Sequence, residues 1–522
     1  MVIGMHTRLT ITLACGLACT SLWSAEFDPY EKSIAEIHVA MSAGEITARE
    51  LVEYYLARID AYDKRGPAIN AIITINPQAL ERADELDRAF ARDGLTGPLH
   101  GIPMIVKDNY DTADLPTSAG SIALKESVPP DDAFQVRRIR EAGAIVIAKS
   151  NMFEWAFSPY ETVGSALPGH TRNPYALNRV PAGSSGGTGA AVAANFAVVG
   201  LGTDTGNSIR GPSSHNGLVG IRSSMGLASR DGIVPLYLDH DIGGPMARSV
   251  ADAAIVLGVI AGYDPNDPVT ADGADSIPAA YTDNLDTGAL DGARIGVVRQ
   301  LSNRDGADPE VVEVFEQALI DLRTHGAELV DPIEFEQLTL LVSSSADPRA
   351  TMWCPRFRHD INAYLATLGE GAPVATIGEV LEAGLFHPNV ESRIRFFQQV
   401  EESPDEHAGC RRSLENRARF RRDVGAVMRD RDLDALAFPT WANPPRLIGD
   451  LNTPDGDNSQ HIAPHTGFPA ITVPMGQTRS GLPLGLQLVG DNFDEVTLIR
   501  LAHAYEQATR HRVPPASAPP LN

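Results

Sequence analysis

Three short segments of this 522-residue chain carry side chains suited to chemistry. The run Gly101-Ile102-Pro103-Met104-Ile105-Val106-Lys107-Asp108 ends an apolar stretch on a lysine. A lysine stripped of its proton is a base, and burial disfavours the charged form. Taken alone, Lys107 reads as a surface lysine snorkelling to water. Pro181-Ala182-Gly183-Ser184-Ser185-Gly186-Gly187 sets two hydroxyls among small residues, and alone it reads as a flexible turn. Gly202-Thr203-Asp204-Thr205-Gly206-Asn207-Ser208-Ile209-Arg210 offers a third serine on a stretch that reads as an anion-binding nest or a plain loop. A serine hydroxyl attacks a carbonyl only when a base takes its proton, so a lysine and three serines are of interest only if the fold brings them together.

The elements that must do so are legible in outline. Thr47-Ala48-Arg49-Glu50 is a capping box, followed by Leu51, Val52, Tyr55, Leu56 and Ile59 at helical spacing. A second helix is expected from Pro77 to Arg92, and a third within Asp132 to Ala142. Pro103 to Val106 and Ala144 to Ala148 are short apolar runs of the kind buried in an α/β sheet. Arg294 to Arg299, a helix opening at Asp308-Pro309 and ended by Gly326, and Ala327 to Val330 form a βαβ unit. Residues 338–443 are charged and mostly helical, an insertion or cap over the core. Ala470 to Val473 and Leu484 to Val489 read as late strands, Glu495 to Thr509 as a closing helix, and the Pro-rich tail from Pro514 as loose.

Taken together, the three segments resemble the amidase signature family in order, residue type and spacing. Ser184 precedes Ser208 by 24 residues, as in that family. Ala142-Gly143-Ala144, Lys149-Ser150-Asn151-Met152 and Glu154 resemble its stretch before the serine loop. Gly243-Gly244-Pro245-Met246-Ala247-Arg248-Ser249-Val250 with Asp252, Gly467-Phe468-Pro469-Ala470 and Leu482 to Gln487 resemble its later portions. The likeness is strong over Leu99 to Asp264 and thin between Leu338 and Pro439. It implies an α/β fold, a large twisted mixed β-sheet sandwiched between helices, in one catalytic domain over 26–522. It also implies a carboxamide hydrolase working through an acyl-enzyme, with esterase, aryl-acylamidase and carbamate cleavage open to the same tetrahedral chemistry. Lys107 is then the base, Ser184 a bridging serine behind a cis peptide at Gly183–Ser184, and Ser208 the nucleophile. The backbone N–H groups of Thr205, Gly206, Asn207 and Ser208 would form the oxyanion hole, with Asp204 and Arg210 bracing the turn. No cofactor or metal is implied. Two residues depart from the family's commonest pattern: Ala182 and Asn207 stand where glycine is usual. Asn tolerates unusual backbone angles, and its amide beside the nucleophile puts substrate shape in question.

Other readings fit less well. Gly183-Ser184-Ser185-Gly186-Gly187 also matches Gly-x-Ser-x-Gly, but a nucleophile elbow needs a strand before it, and Asn173 to Pro181 reads as loop. His461 and His465 are spaced i, i+4, but Pro464 opposes a helix and the zincin glutamate is missing. A non-catalytic member of the family would be expected to have lost the lysine or a serine. The net charge of −24 and pI near 4.9 exclude a nucleic-acid binder. Met1 to Ala25 holds Arg8, His6 and no acid, with an apolar stretch from Ile11 to Leu22. That pattern predicts a signal peptide over 1–25 and an exported enzyme, periplasmic or secreted, with no stable membrane span. It also argues against the family's tRNA-dependent amidotransferase role. The expected partner is a small-molecule amide, and the protein a monomer or homodimer. Cys354 and Cys410 are left either paired or as two buried thiols. Trp353, Phe357, Phe386, Phe396 and Phe397 are expected to pack as core rather than to line a cleft.

Overall fold

The computed structural model describes residue 1 and residues 27–343, 346–450, 452–453 and 456–521. The expected signal peptide falls on residues outside this set. The capping box at Thr47 opens the helix Ala48–Tyr62, Thr47 Oγ1 accepting from Glu50 N while Glu50 Oε2 accepts from Thr47 N. A second such box, Ser33 with Glu36, opens the helix Ile34–Ala43, a start that the hydrophobic pattern did not bring out. The predicted second, third and closing helices are Ala79–Asp93, Phe134–Glu141 and Glu495–Thr509.

Eleven strands form one sheet. In chain order they are β1 Ile72–Ile75, β2 Pro103–Lys107, β3 Ile145–Ser150, β4 Val199–Asp204, β5 Val219–Arg222, β6 Ile242–Ala247, β7 Arg294–Val297, β8 Glu328–Val330, β9 Ala435–Pro439, β10 Ala470–Gln477 and β11 Pro483–Val489. Their order across the sheet is β1-β3-β2-β4-β6-β5-β10-β11-β9-β7-β8. β2 pairs parallel with β3 and β4, and β7 parallel with β8 and β9, while the strands between run antiparallel. This is the expected mixed α/β sheet, and β7, the helix Pro309–Thr324 and β8 are the predicted βαβ unit. Helices on the sheet bury Tyr55, Leu257, Phe315 and Tyr505 in one main core with the strand residues Ile105, Ile147, Val199 and Leu486. The strands β4, β5 and β6 went unread because their glycines erase the apolar alternation. In β4, Gly202 is needed for contact, since a Cβ there would stand 3.0 Å from Ser185 Oγ and 2.8 Å from Met246 Sδ.

Two other expectations meet different outcomes. The tail is not loose: the buried Arg58 guanidinium donates to the carbonyls of Ala518 and Pro519, each at 2.8 Å, and Ser517 Oγ donates to Pro174 O. Those bonds repay the ordering of a Pro-rich segment that has few conformations to lose. Cys354 and Cys410 form a disulfide. It joins the segment before the helix Phe357–Thr367 to the head of the long helix Ala408–Asp430. Around it the helices Glu336–Val342, Ile377–Ala383 and Glu391–Gln398 complete the helical stretch, and Phe357, Ile361, Ile394 and Phe397 pack against Trp155 and Phe157 of the main body.

Candidate active site

Lys107 ends β2, the strand flanked by β3 and β4, and its side chain is fully buried. Its Nζ donates to Ser184 Oγ at 2.8 Å and to Thr203 Oγ1 at 2.7 Å. Thr203 Oγ1 also accepts from Asn109 Nδ2 at 3.1 Å. Among the described residues no carboxylate touches the amine. Burial therefore dominates and pulls its pKa down to about 7, against the smaller opposing pull of the Asp204 and Asp241 charges. A lysine so placed exchanges its proton near neutral pH.

Ser184 follows a cis peptide at Gly183–Ser184, the bond that the resemblance implied. The loop carrying it is pinned on both sides. Gly183 N donates to Pro159 O at 2.7 Å, Phe153 N donates to Ser184 O at 3.1 Å, and Thr162 Oγ1 donates to Ala182 O at 2.9 Å. Gly183 has no room for a side chain, because a Cβ would lie 2.1 Å from Glu161 O. Ala182 takes φ +63°, the left-handed region. Ser185 points away from the lysine. Its Oγ donates to Thr203 O and accepts from Thr203 N, which fastens the loop to β4. No strand precedes it, so the elbow reading has no scaffold.

β4 ends at Asp204, and the turn Thr205 to Ser208 leads into the helix Arg210–His215. Asp204 is fully buried between two guanidiniums, with Arg210 at 3.0 and 3.1 Å and Arg222 of β5 at 3.0 Å. Burial raises the Asp204 pKa, but the two arginines together outweigh it and hold the group at about 2. Arg210 Nη2 also donates to Gly206 O at 2.7 Å, so the bracing pair reaches the turn itself. Ser208 Oγ donates to Asn207 Oδ1 at 3.2 Å and, among the described residues, is not bonded to Ser184. Asn207 keeps an ordinary φ, so its tolerance of unusual angles is not drawn on; the left-handed residue is Ala182.

The turn opens into a cleft of about 460 Å³ whose walls include Thr205, Asn207, Ser208, Phe157, Tyr237, Trp353, Phe396 and Phe397. Of the five aromatics expected to pack as core, Trp353, Phe396 and Phe397 line this cleft, while Phe357 is wholly buried. Trp353 stacks on His240 with ring centroids 4.3 Å apart and meets the edge of His465 at 5.0 Å. Burial pushes both histidines toward the neutral form, His240 to about 4. His465 is thus a buried residue packed on Trp353, and among the described residues no group of three His, Cys, Asp or Glu could hold a metal ion. Local motif reading missed Thr203, Arg222 and Asp241. Thr203 sat inside a segment already singled out. Arg222 and Asp241 come from elsewhere in the chain with no spacing to flag them.

The chain matches the Amidase family model over residues 50–499. It is 33% identical over 519 residues to a probable amidase of Arabidopsis thaliana, covering 97% of this chain and 95% of that one. It is 36% identical over 500 residues to a glutamyl-tRNA(Gln) amidotransferase subunit of Moorella thermoacetica, covering 92% of this chain and 97% of that one. The structure superposes on the peptide amidase of Stenotrophomonas maltophilia with a TM-score of 0.82 and 37% identity, over 93% of this chain and 98% of that one. These relatives correct the expectation of an exported, periplasmic or secreted enzyme. The amidotransferase subunits that match along nine-tenths of the chain are cytoplasmic. With export withdrawn, the objection it raised to an amidotransferase-like role falls too. No described helix is long and apolar enough to cross a membrane.

Proposed function

This chain belongs to the amidase family, and from that premise we propose that it hydrolyses a carboxamide through Ser208, Ser184 and Lys107 by way of an acyl-enzyme. The observation that carries the reading is the fully buried Lys107 amine, bonded among the described residues to the hydroxyls of Ser184 and Thr203. Substrate entry turns the Ser208 hydroxyl from Asn207 toward Ser184; catalytic hydrogen bonds often tighten only in the complex. Ser208 Oγ attacks the carbonyl carbon, its proton passes to Ser184 Oγ, and the Ser184 proton passes to the neutral Lys107 Nζ. The N–H groups of Thr205, Gly206, Asn207 and Ser208 receive the oxyanion. The same relay returns the proton to the departing nitrogen, so that ammonia or an amine leaves. Water then attacks the Ser208 ester, giving up its proton along the same path; the relay hands that proton to the departing Ser208 Oγ, which releases the carboxylic acid and leaves Lys107 neutral again. In this reading 26–522 is one catalytic domain and 338–443 its helical cap. The aromatic cleft supports a carboxamide bearing a large apolar group, as does the likeness to a peptide amidase.

The test is a panel of peptide amides, simple primary amides, anilides, esters and carbamates on wild type and Ser208→Ala, with mass spectrometry of the protein during turnover. An acyl adduct on the Ser208 peptide in wild type, absent from the variant, is expected. Turnover of glutamine alone from the panel would favour a glutaminase-like role of the kind carried by the amidotransferase relatives. Full activity of Ser208→Ala would overturn the mechanism.

A further inference from the structure

One buried carboxylate outside this machinery joins two of its parts. Asp241 lies just before β6, is 5% exposed and makes no ion pair among the described residues. Its Oδ1 accepts from Thr205 Oγ1 at 2.5 Å, and its Oδ2 accepts from Leu236 N at 2.8 Å and Tyr237 N at 3.0 Å. Thr205 belongs to the turn that holds Ser208, whereas Leu236 and Tyr237 form the facing wall of the cleft. A second tie runs beside it: Arg222, bonded to Asp204, donates to His240 O at 2.8 Å. The loop from Leu236 to Asp241 is in turn anchored to the helix Ala408–Asp430 by Arg417 with Asp239 at 2.9 Å.

We propose that Asp241 is a positioning residue that sets the oxyanion turn and the cleft wall against each other through a single carboxylate. The inference rests on the amidase mechanism above and adds to it. A carboxylate accepts on both sides and leaves the Thr205 hydroxyl as the donor, whereas an amide could serve the two backbone N–H groups only by turning its NH2 toward Thr205, whose hydroxyl would then have to rotate and accept. Holding the turn matters because a displacement of about 1 Å in a reacting geometry costs about 100-fold in rate. The charge of the carboxylate also acts on the base. Asp204 and Asp241 are charges that favour protonated Lys107; among the described residues the other charged or titratable groups around Asp241 include Arg222, Asp360, Arg356, Tyr237 and, next in the chain, His240.

The test uses full-length Asp241→Asn, Thr205→Val, Thr205→Ser and the double variant Asp241→Asn with Thr205→Val, on a substrate for which wild type accumulates the Ser208 acyl-enzyme. Asp241→Asn is expected to lower kcat about 10- to 100-fold with a much smaller change in KM. Its acid limb should move to lower pH, because loss of the negative charge makes Lys107 easier to deprotonate. Thr205→Val should lower kcat comparably with the acid limb in place, Thr205→Ser should restore it, and the double variant should be no worse than the worse single one. If Asp241→Asn does not fold, the Thr205 pair carries the test, since both leave the Leu236 and Tyr237 bonds intact. Wild-type kcat and pH profile in Asp241→Asn, wild-type kcat in Thr205→Val, or losses that multiply in the double variant would overturn the proposal. A wild type that forms no acyl-enzyme would instead count against the mechanism on which it rests.

Discussion

The turn after β4 and the strap from Thr351 to Cys354, through Trp353, border the same cleft, and different physics holds each. The turn is held by buried charge. Asp204 neutralises Arg210, Arg222 closes the set, and every tie runs to a neighbouring strand or loop of the main sheet. The strap is held by contacts that carry no charge. Ser413 and Asn416 donate to the Met352 and Thr351 carbonyls, Cys354 is bonded to Cys410, and Trp353 lies on His240. Buried ion pairs have one good geometry and are costly to break, whereas an aromatic face slides over its neighbour at little cost. The turn is therefore suited to chemistry that every substrate shares, and the strap to discriminating among substrates.

The sharpest way to break that division is at the nucleophile. Ser208→Ala should lower kcat at least about 10⁴-fold, by the same factor for every amide tested, since members of one catalytic relay fail together. Rates for a panel of amides, normalised to wild type, check this. A loss confined to some substrates would show that the turn also selects. Asp204→Asn comes next. It leaves Arg210 and Arg222 buried together without their counter-charge, so about 3–5 kcal/mol of stability should go, measured as the shift in urea midpoint at constant m-value. Equal stability would mean that the turn is not held by charge at all.

The pH profile probes the same side of the comparison. Lys107 acts as the neutral amine, and its pKa is lowered to about 7. Activity is therefore lost as pH falls below about 7, by about tenfold per pH unit. The limb should fall at the same pH for small and bulky amides, because Lys107 touches only protein hydroxyls. Trp353→Ala probes the other side. Removing the ring from the cleft wall should change the ratio of kcat/KM between bulky aryl and small aliphatic amides by about tenfold, while Ser208 acylation by the small amide stays within a few-fold of wild type. A uniform fall across both substrates would erase the division between turn and strap.

The two regions also differ in how legible they were. Lys107, Ser184, Ser208, Asp204 and Arg210 lie in three short segments that read alone as a surface lysine, a turn and a loop, and it was their joint resemblance to the amidase signature family, in order and spacing, that singled them out. Arg222 and Asp241 do equivalent work from β5 and from the loop before β6, and only the sheet order β4-β6-β5 brings them to the turn. The glycines that allow this packing also hid β4, β5 and β6, because a strand without side chains shows no alternation. On the strap side, helical spacing made Phe357 and Phe397 look alike. One is wholly buried and the other reaches the cleft, a distinction that depends on how far each helix is rotated over the core. The docking of the tail on Arg58 rests on a contact between residues more than 400 apart, which no local pattern carries.

The smallest expected effect lies in the serine loop beside the turn. Ala182 stands at φ +63°, where an L residue pays roughly 1 kcal/mol that glycine does not. The cost is tolerated because the loop is fixed by bonds that do not involve the methyl group: Thr162 Oγ1 to Ala182 O, Gly183 N to Pro159 O and Phe153 N to Ser184 O. Ala182→Gly should keep those bonds and remove the backbone penalty. Against this stand the greater freedom of glycine in the unfolded chain, worth about 0.5–1 kcal/mol, and the loss of a small buried contact. The net gain should therefore be below about 1 kcal/mol, a rise in thermal midpoint of one or two degrees at most, with kcat within about twofold of wild type. A marked fall in kcat at unchanged stability would show that the strained alanine helps to aim Ser184 at Lys107, and would place backbone strain beside buried charge among the forces that set the catalytic side of the cleft.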